Sequence, residues 1–242
     1  MDSRTLEVNS FEALLRWRHP RRGLLAPSEF IGLAEQSGFI VELGAWAIRR
    51  ALADAVDWPC PIKVTINLSP VQFEAGDLYQ TIQSAIGESG IDPRRIEVEI
   101  TESVLLRDDP KTHTLLHKLR NLGLRIALDD FGTAYASLSY LRSFPFDKIK
   151  IDQSFVRDLG TGAHEGNVAI IRAVANLAKQ LQMKSVAEGV ETEEQIGSVL
   201  IAGCDELQGF YFSRPVPASK VPQLLSRGPH KMTEPSIVKC SG

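Results

Sequence analysis

Asp129 and Asp130 close an apolar, strand-like run, RIALDD (125–130), where two adjacent carboxylates repel each other and resist desolvation. Something positive must offset them. Acids, an amide and a lysine recur near the ends of other β-type runs. Glu12 lies in SFEALLRW (10–17), Asn67 in KVTINLS (63–69) and Glu99 in RIEVEIT (95–101); Lys150 and Asp152 lie in FDKIKID (146–152) and Glu188 in KSVAEGV (184–190). Glu12, Glu99, Asp129, Asp130 and Glu188 place five negative charges around the neutral Asn67, more than Lys150 can neutralise alone. Two divalent cations together with Lys150 would balance them. An all-oxygen ligand set without His or Cys selects hard ions, Mg²⁺ or Mn²⁺. Two such ions ~3.5–4 Å apart form a clamp for in-line hydrolysis of a phosphodiester.

That chemistry requires the strand ends to converge. With LRIALDD (124–130) and ELQGFYF (206–212), seven β-type runs alternate with amphipathic stretches such as PSEFIGLAEQSG (27–38) and GNVAIIRAVANLAKQL (166–181). Strand then helix, repeated over 242 residues, reads as parallel α/β and fits a TIM-like (β/α)8 barrel, whose chemistry gathers at the carboxyl ends of its strands. An eighth strand is not evident. TLEV (5–8) offers part of one, but MDSRTLEVNS (1–10) reads as the second limb of a hairpin whose first limb is missing or truncated. PASKVPQLLSR (217–227) is expected to hold a closing helix, and GPHKMTEPSIVKCSG (228–242) has no periodicity and reads as a flexible tail. Without internal repeats or a low-complexity linker, residues 1–227 form one domain in this reading.

Plainer readings compete with the functional one. A single acid at a strand end is usually a helix N-cap or a solvated loop residue. Lys150 in KIKID could alternate outward with Lys148 and Asp152. His113 and His117 have i,i+4 spacing without a third ligand and read as a solvated helix face, and RWRHPRR (16–22) reads as a basic loop in which Arg16, nearest the strand, is the candidate phosphate contact. DFG (130–132) has no accompanying glycine-rich loop or HRD, which excludes a protein kinase. The net charge of -3 gives no general attraction to DNA, RNA or anionic membrane, so a phosphate ligand must be caught locally. Cys60, Cys204 and Cys240 make no CxxC pair and read as reduced thiols. No apolar stretch approaches a membrane span, which predicts a cytoplasmic chain unless a parent protein is anchored through other segments.

The chain closely resembles the EAL domain family of bacterial cyclic di-GMP phosphodiesterases. The name itself is present as Glu12-Ala13-Leu14, followed by NLSPVQF (67–73), EITE (99–102), DDFGTAYASLSYL (129–141), KIDQSFV (150–156), AEGVET (187–192) and LQGFYFSRP (207–215). These motifs stand in family order and cover almost the whole chain. The resemblance implies a metal-dependent enzyme that opens cyclic di-GMP to linear pGpG by hydrolysing one phosphodiester. It implies that Glu12, Asn67, Glu99 and Asp129 hold one Mg²⁺ or Mn²⁺ ion, with Asp129 bridging to a second held by Asp130 and Glu188. Lys150 would orient the attacking water, with Asp152 beside it; Arg16 would contact a substrate phosphate and Gln208 line the far side. Glu102 would anchor the loop after Asp130, and Glu191 would support the region of the second ion. The resemblance also implies a homodimer and, in a parent protein, an upstream GGDEF or sensory domain. Family members that bind cyclic di-GMP without turnover lose metal ligands; here none is lost.

Two departures stand out. The family's usual DDFGTGYSS has Ala134 in place of its second glycine and Ala136 in place of a serine, and alanine at a positive-φ position costs on the order of 1 kcal/mol. The usual strand with a Tyr-Gln-Pro motif before the EAL strand is absent, which predicts a gap in the barrel wall with exposed strand edges.

Overall fold

All seven β-type runs form strands of one parallel sheet, each hydrogen-bonded to the next in chain order. The computed structural model describes residues 1–59, 61–105, 109–133, 141, 143–159 and 164–226. The strands are β1 (Ser10–Ala13), a separate two-stranded ribbon of β2 (Trp17–His19) and β3 (Gly23–Leu25), then β4 (Lys63–Asn67), β5 (Ile96–Thr101), β6 (Arg125–Phe131), β7 (Lys148–Ile151), β8 (Lys184–Ala187) and β9 (Glu206–Leu207). Sheet order is β1-β4-β5-β6-β7-β8-β9, curled as an incomplete TIM-like barrel. The helices are α1 (Ile31–Gln36), α2 (Ile40–Ala55), α3 (Pro70–Ala75), α4 (Leu78–Ser89), α5 (Glu102–Leu105), α6 (Pro110–Asn121), α7 (Gln153–Arg157), α8 (His164–Gln180), α9 (Glu193–Ala202) and α10 (Val221–Ser226). No helix among the described residues is long and apolar enough to cross a membrane.

Period-2 alternation sorts most of the strands into an outer, largely apolar face and an inner, largely polar one. In β5, Ile96, Val98 and Ile100 join the cluster that contains Leu52, Ile82, Leu116 and Leu119, while Glu97, Glu99 and Thr101 occupy the intervening positions. The same rule gives Ile149 and Ile151 to the core and puts Lys148 and Lys150 on the opposite face, both buried. The barrel interior is therefore polar, in two layers. The lower holds Lys148, whose Nζ lies 2.7 Å from Glu97 and 2.8 Å from Glu206. The upper holds Lys150, two residues on.

Four helix starts are fixed by side chains in the segments that lead from the strands. Ser69 and Gln72 make a capping box at α3, Asp109 caps α6 with Pro110 at its first turn, Asp152 caps α7, and Thr192 with Gln195 makes a second capping box at α9. At the opposite end of α2, the buried Arg95 guanidinium donates to the carbonyls of Ala55, Val56, Trp58 and Ile62 at 2.7–3.2 Å. A cation there also complements the helix dipole.

Among the described residues, the eighth position in the wall carries a short bridge. Met1 and Ser3 donate backbone or terminal N–H to Leu207 and Asp205 at 2.8 and 2.9 Å, and Asp2 pairs antiparallel with Glu206. The chain then turns at Leu6 (φ 53) and runs into β1. RWRHPRR, expected as a basic loop, instead contains β2 and the turn into β3, with Trp17 against His19 and Phe30. Aromatic contacts and the antiparallel pairing outweigh the repulsion among exposed arginines. Ala134 and Ala136, and the tail 228–242, lie outside the described residues.

Candidate metal centre

All seven strands of the parallel sheet bring functional side chains to one mouth. Lys150, 2% exposed on β7, places its ammonium 2.7 Å from Glu99 on β5, 3.0 Å from Asp129 on β6 and 2.6 Å from Glu188, the residue after β8. From β1, Glu12 accepts at one oxygen from Asn67 Nδ2 and at the other from Gln208 Nε2, both at 2.6 Å. The second of these bonds joins the two ends of the sheet, β1 and the residue after β9, across the seam where no ladder is formed among the described residues. Asn67 and Glu99 are register partners in the parallel β4–β5 ladder.

Asp130 presents a geometric problem, because neighbours on a regular strand point to opposite faces. The structure solves it with an irregularity. Between β6 and β7 the pairing runs Leu128 with Ile149 and then Phe131 with Ile151, so β6 carries one residue more than its partner. Asp130 takes φ 54 at this bulge, a left-handed conformation that aspartate tolerates better than most residues. Carboxylate oxygens of Asp129, Asp130 and Glu188 thereby fall within 4.8 Å of one another. The loop beyond is held by Glu102, whose Oε1 accepts from Gly132 N–H at 3.0 Å, and by Thr133, whose hydroxyl donates to the Asp130 carbonyl at 2.9 Å.

The electrostatics call for more positive charge than the lysine provides. Burial pushes the Glu99 carboxyl well above the ordinary range, with Glu12 and Asp129 adding to the effect against Lys150. Burial likewise raises Glu188 to about 7 despite Lys150, and raises Asp130 together with the charges of Asp129 and Asp152. Burial alone would lower Lys150, but Glu99, Glu188, Glu12 and Asp129 outweigh it and hold the ammonium well above its usual value. Oε2 of Glu99 is buried without a hydrogen-bond partner, and Asp129 Oδ1 meets the ammonium only as an ion pair outside hydrogen-bond geometry. Orphaned carboxylates that supply only oxygen ligands fit hard divalent cations.

The remaining expected residues are placed less centrally. Arg16 is exposed and donates to the neighbouring Leu15 carbonyl at 2.7 Å. Asp152 caps α7 by accepting from Ser154 N–H at 2.9 Å. Glu191 is exposed; its backbone N–H donates to Gln195 at 2.7 Å. His113 Nε2 donates to the Ser143 carbonyl at 2.6 Å, with its ring tilted against His117. Sequence reasoning overlooked Gln195, although Thr-Glu-Glu-Gln (192–195) carries the spacing of a capping box. It also overlooked Gly189 and Gly209, which with Gly132 let the loops of the mouth touch: an added Cβ would lie 2.5 Å from Gln153, 2.1 Å from Val190 and, at Gly132, 2.8 Å from Phe155.

Comparison with known proteins gives this arrangement a lineage. A signalling protein of Caulobacter vibrioides without an assigned activity is 47% identical over 222 residues, covering 92% of this chain and 27% of its own length. The cyclic di-GMP phosphodiesterase NbdA of Pseudomonas aeruginosa is 39% identical over 223 residues, covering 90% and 28%. This chain thus spans little more than a quarter of these curated relatives. Among solved structures, the PaMucR phosphodiesterase in complex with c-di-GMP superposes with a TM-score of 0.82 at 38% identity, over 86% of this chain and 85% of that one. The sequence profile of the EAL domain matches residues 1–215, and with these relatives it establishes that the chain belongs to the EAL domain family.

Proposed function

We propose that this chain is a metal-dependent phosphodiesterase that hydrolyses cyclic di-GMP to linear pGpG. The observation that carries the reading is the convergence of Glu99, Asp129 and Glu188 on Lys150, with Asp130 and the Glu12–Asn67 pair beside them. Glu12, Asn67, Glu99 and Asp129 would hold one Mg²⁺ or Mn²⁺, and Asp129, Asp130 and Glu188 a second. When bound, the two ions supply a water acidified toward neutral pH and withdraw charge from the reacting phosphate.

The chain's own side chains do the rest. Lys150 orients the attacking water and sets its ammonium against charge developing on the phosphate oxygens. Asp152, two residues on, caps α7 and so fixes the backbone that carries Lys150. Arg16, exposed and engaged only with a neighbouring carbonyl, is free to meet a substrate phosphate. Gln208 borders the site and holds Glu12. Glu102 keeps the loop after Asp130 in place, and Glu191 contributes to the turn after Glu188 through its backbone. Residues 1–227 serve as this catalytic domain in the cytoplasm, with 228–242 as a tail; a homodimer and an upstream GGDEF or sensory domain complete the proposal. Relatives that extend well beyond the matched region favour the last point.

Incubation with cyclic di-GMP and Mn²⁺, followed by chromatography, tests the reading. Formation of pGpG by the wild type, abolished in a folded Glu12→Ala variant, is expected. Tight binding of cyclic di-GMP without product would identify a sensing module and sink the enzyme reading.

A further inference from the structure

Gln195 is 6% exposed, lies seven residues beyond the nearest expected metal ligand, Glu188, and uses its whole amide. Its Oε1 accepts from the N–H groups of Glu191 and Thr192 at 2.7 and 3.0 Å, and its Nε2 donates to the carbonyls of Val156 and Arg157 at 3.2 and 3.4 Å. Two acceptor and two donor positions exhaust what a carboxamide offers. The first pair of bonds holds the turn that follows Glu188. The second holds the end of α7, the helix that begins directly after Asp152.

These contacts close a ring. Lys150 and Glu188 meet at 2.6 Å in the mouth; from Lys150 the chain runs through Asp152 into α7, and from Glu188 through Gly189 into the turn that Gln195 grips. Within the ring, Glu188 N–H donates to Ile151 at 3.2 Å, and Gly189 lies so close to Gln153 that a Cβ would come within 2.5 Å of its side chain. Phe155 of α7 covers Gly132 in the same way, which ties the loop after Asp130 to the same helix. A buried, fully satisfied amide at such a junction specifies one arrangement of both arms.

We infer that Gln195 is a positioning residue that sets the distance between Lys150 and Glu188 by binding both backbone arms that carry them. This rests on the phosphodiesterase reading for its effect on turnover, but not for its effect on metal affinity. In Gln195→Met both pairs of bonds are lost. In Gln195→Glu the acceptor for Glu191 and Thr192 remains, while the donor to α7 is replaced by an oxygen that faces the Val156 and Arg157 carbonyls. Thr192→Ala removes the hydroxyl that caps Gln195 N–H and leaves the bridge intact.

The test uses the full 242-residue chain, with Mn²⁺ alone titrated calorimetrically and cyclic di-GMP turnover measured separately. In both Gln195 variants kcat is expected to fall about 10-fold or more with KM little changed. Mn²⁺ affinity should fall about 10-fold in Gln195→Met and stay near wild type in Gln195→Glu, where the Glu188 turn is still held. Thr192→Ala should keep both values. Wild-type kcat and Mn²⁺ affinity in Gln195→Met, an equal loss in Thr192→Ala, or unfolding of both Gln195 variants would overturn the assignment. A wild-type chain that binds Mn²⁺ without forming pGpG would defeat the phosphodiesterase reading alone, and the Mn²⁺ affinities would still decide the role of Gln195.

Discussion

Gly209→Ala should damage the site more than the size of a methyl group suggests. The glycine follows Gln208, and a Cβ there would lie 2.1 Å from the Val190 carbonyl oxygen, 2.3 Å from its nitrogen and 2.7 Å from its carbonyl carbon. All three are backbone atoms, so no rotamer change relieves the overlap. The segment must retreat by roughly 1 Å or more to reach van der Waals separation. Two backbone hydrogen bonds span this contact, Val190 N–H to Gln208 and Tyr211 N–H to Val190, each at 3.0 Å. Their loss at roughly 1 kcal/mol each, with overpacking of 1–3 kcal/mol, predicts destabilisation of about 3–5 kcal/mol. Gln208 would pull away from Glu12, and a displacement of about 1 Å lowers turnover on the order of 100-fold. Gly197→Ala is the control, since its Cβ meets nothing within 4 Å on the exposed face of α9, and it should stabilise by up to about 1 kcal/mol. Urea unfolding and initial rates with cyclic di-GMP read both effects. Equal midpoints and rates for Gly209→Ala and the wild type would refute the reasoning.

Further predictions concern the lower ionic layer. Lys148→Met leaves the buried Glu97 and Glu206 without their shared cation and should destabilise by about 3–5 kcal/mol in chemical denaturation; a loss below 1 kcal/mol would show that the pairs are worth no more than surface ones. The same layer predicts acid lability. Burial alone would raise the Glu206 carboxyl, but Lys148 and Lys184 outweigh it and hold it at about 2, against 4.5 ordinarily. The folded chain therefore binds fewer protons than the unfolded chain between these values. The contribution is complete above about pH 4.5 and is lost as pH falls through 2, on the order of 3 kcal/mol in all. Glu206→Gln should flatten the pH dependence of stability across that window, and an unchanged slope would assign it to other carboxylates.

Much of the architecture was legible because the inner and outer residues of each strand differ so sharply. Ile149 and Ile151 against Lys148 and Lys150 marks a strand with one apolar face, although which face looked inward was not settled by KIKID alone; a largely apolar outer layer under helices decides it. RWRHPRR reads as a loop on charge, whereas pairing of Trp17 with Leu25 makes it a ribbon. Asp130 is the instructive case. A period of two sends it away from Asp129, and only the extra residue in β6, with its positive φ, turns it back to the mouth. Bulges carry little signature in a single sequence. Gln195, Gly189 and Gly209 act through contacts between loops far apart in the chain, and local spacing reveals at most the cap that Gln195 makes.

The most direct test of the account is a turnover of cyclic di-GMP by the wild-type chain with Mn²⁺ in ¹⁸O-labelled water, read by mass spectrometry. Hydrolysis by an attacking water predicts linear pGpG carrying one ¹⁸O on its terminal phosphate, with no such product from Lys150→Met. Bound cyclic di-GMP recovered intact, or product free of the label, would contradict it.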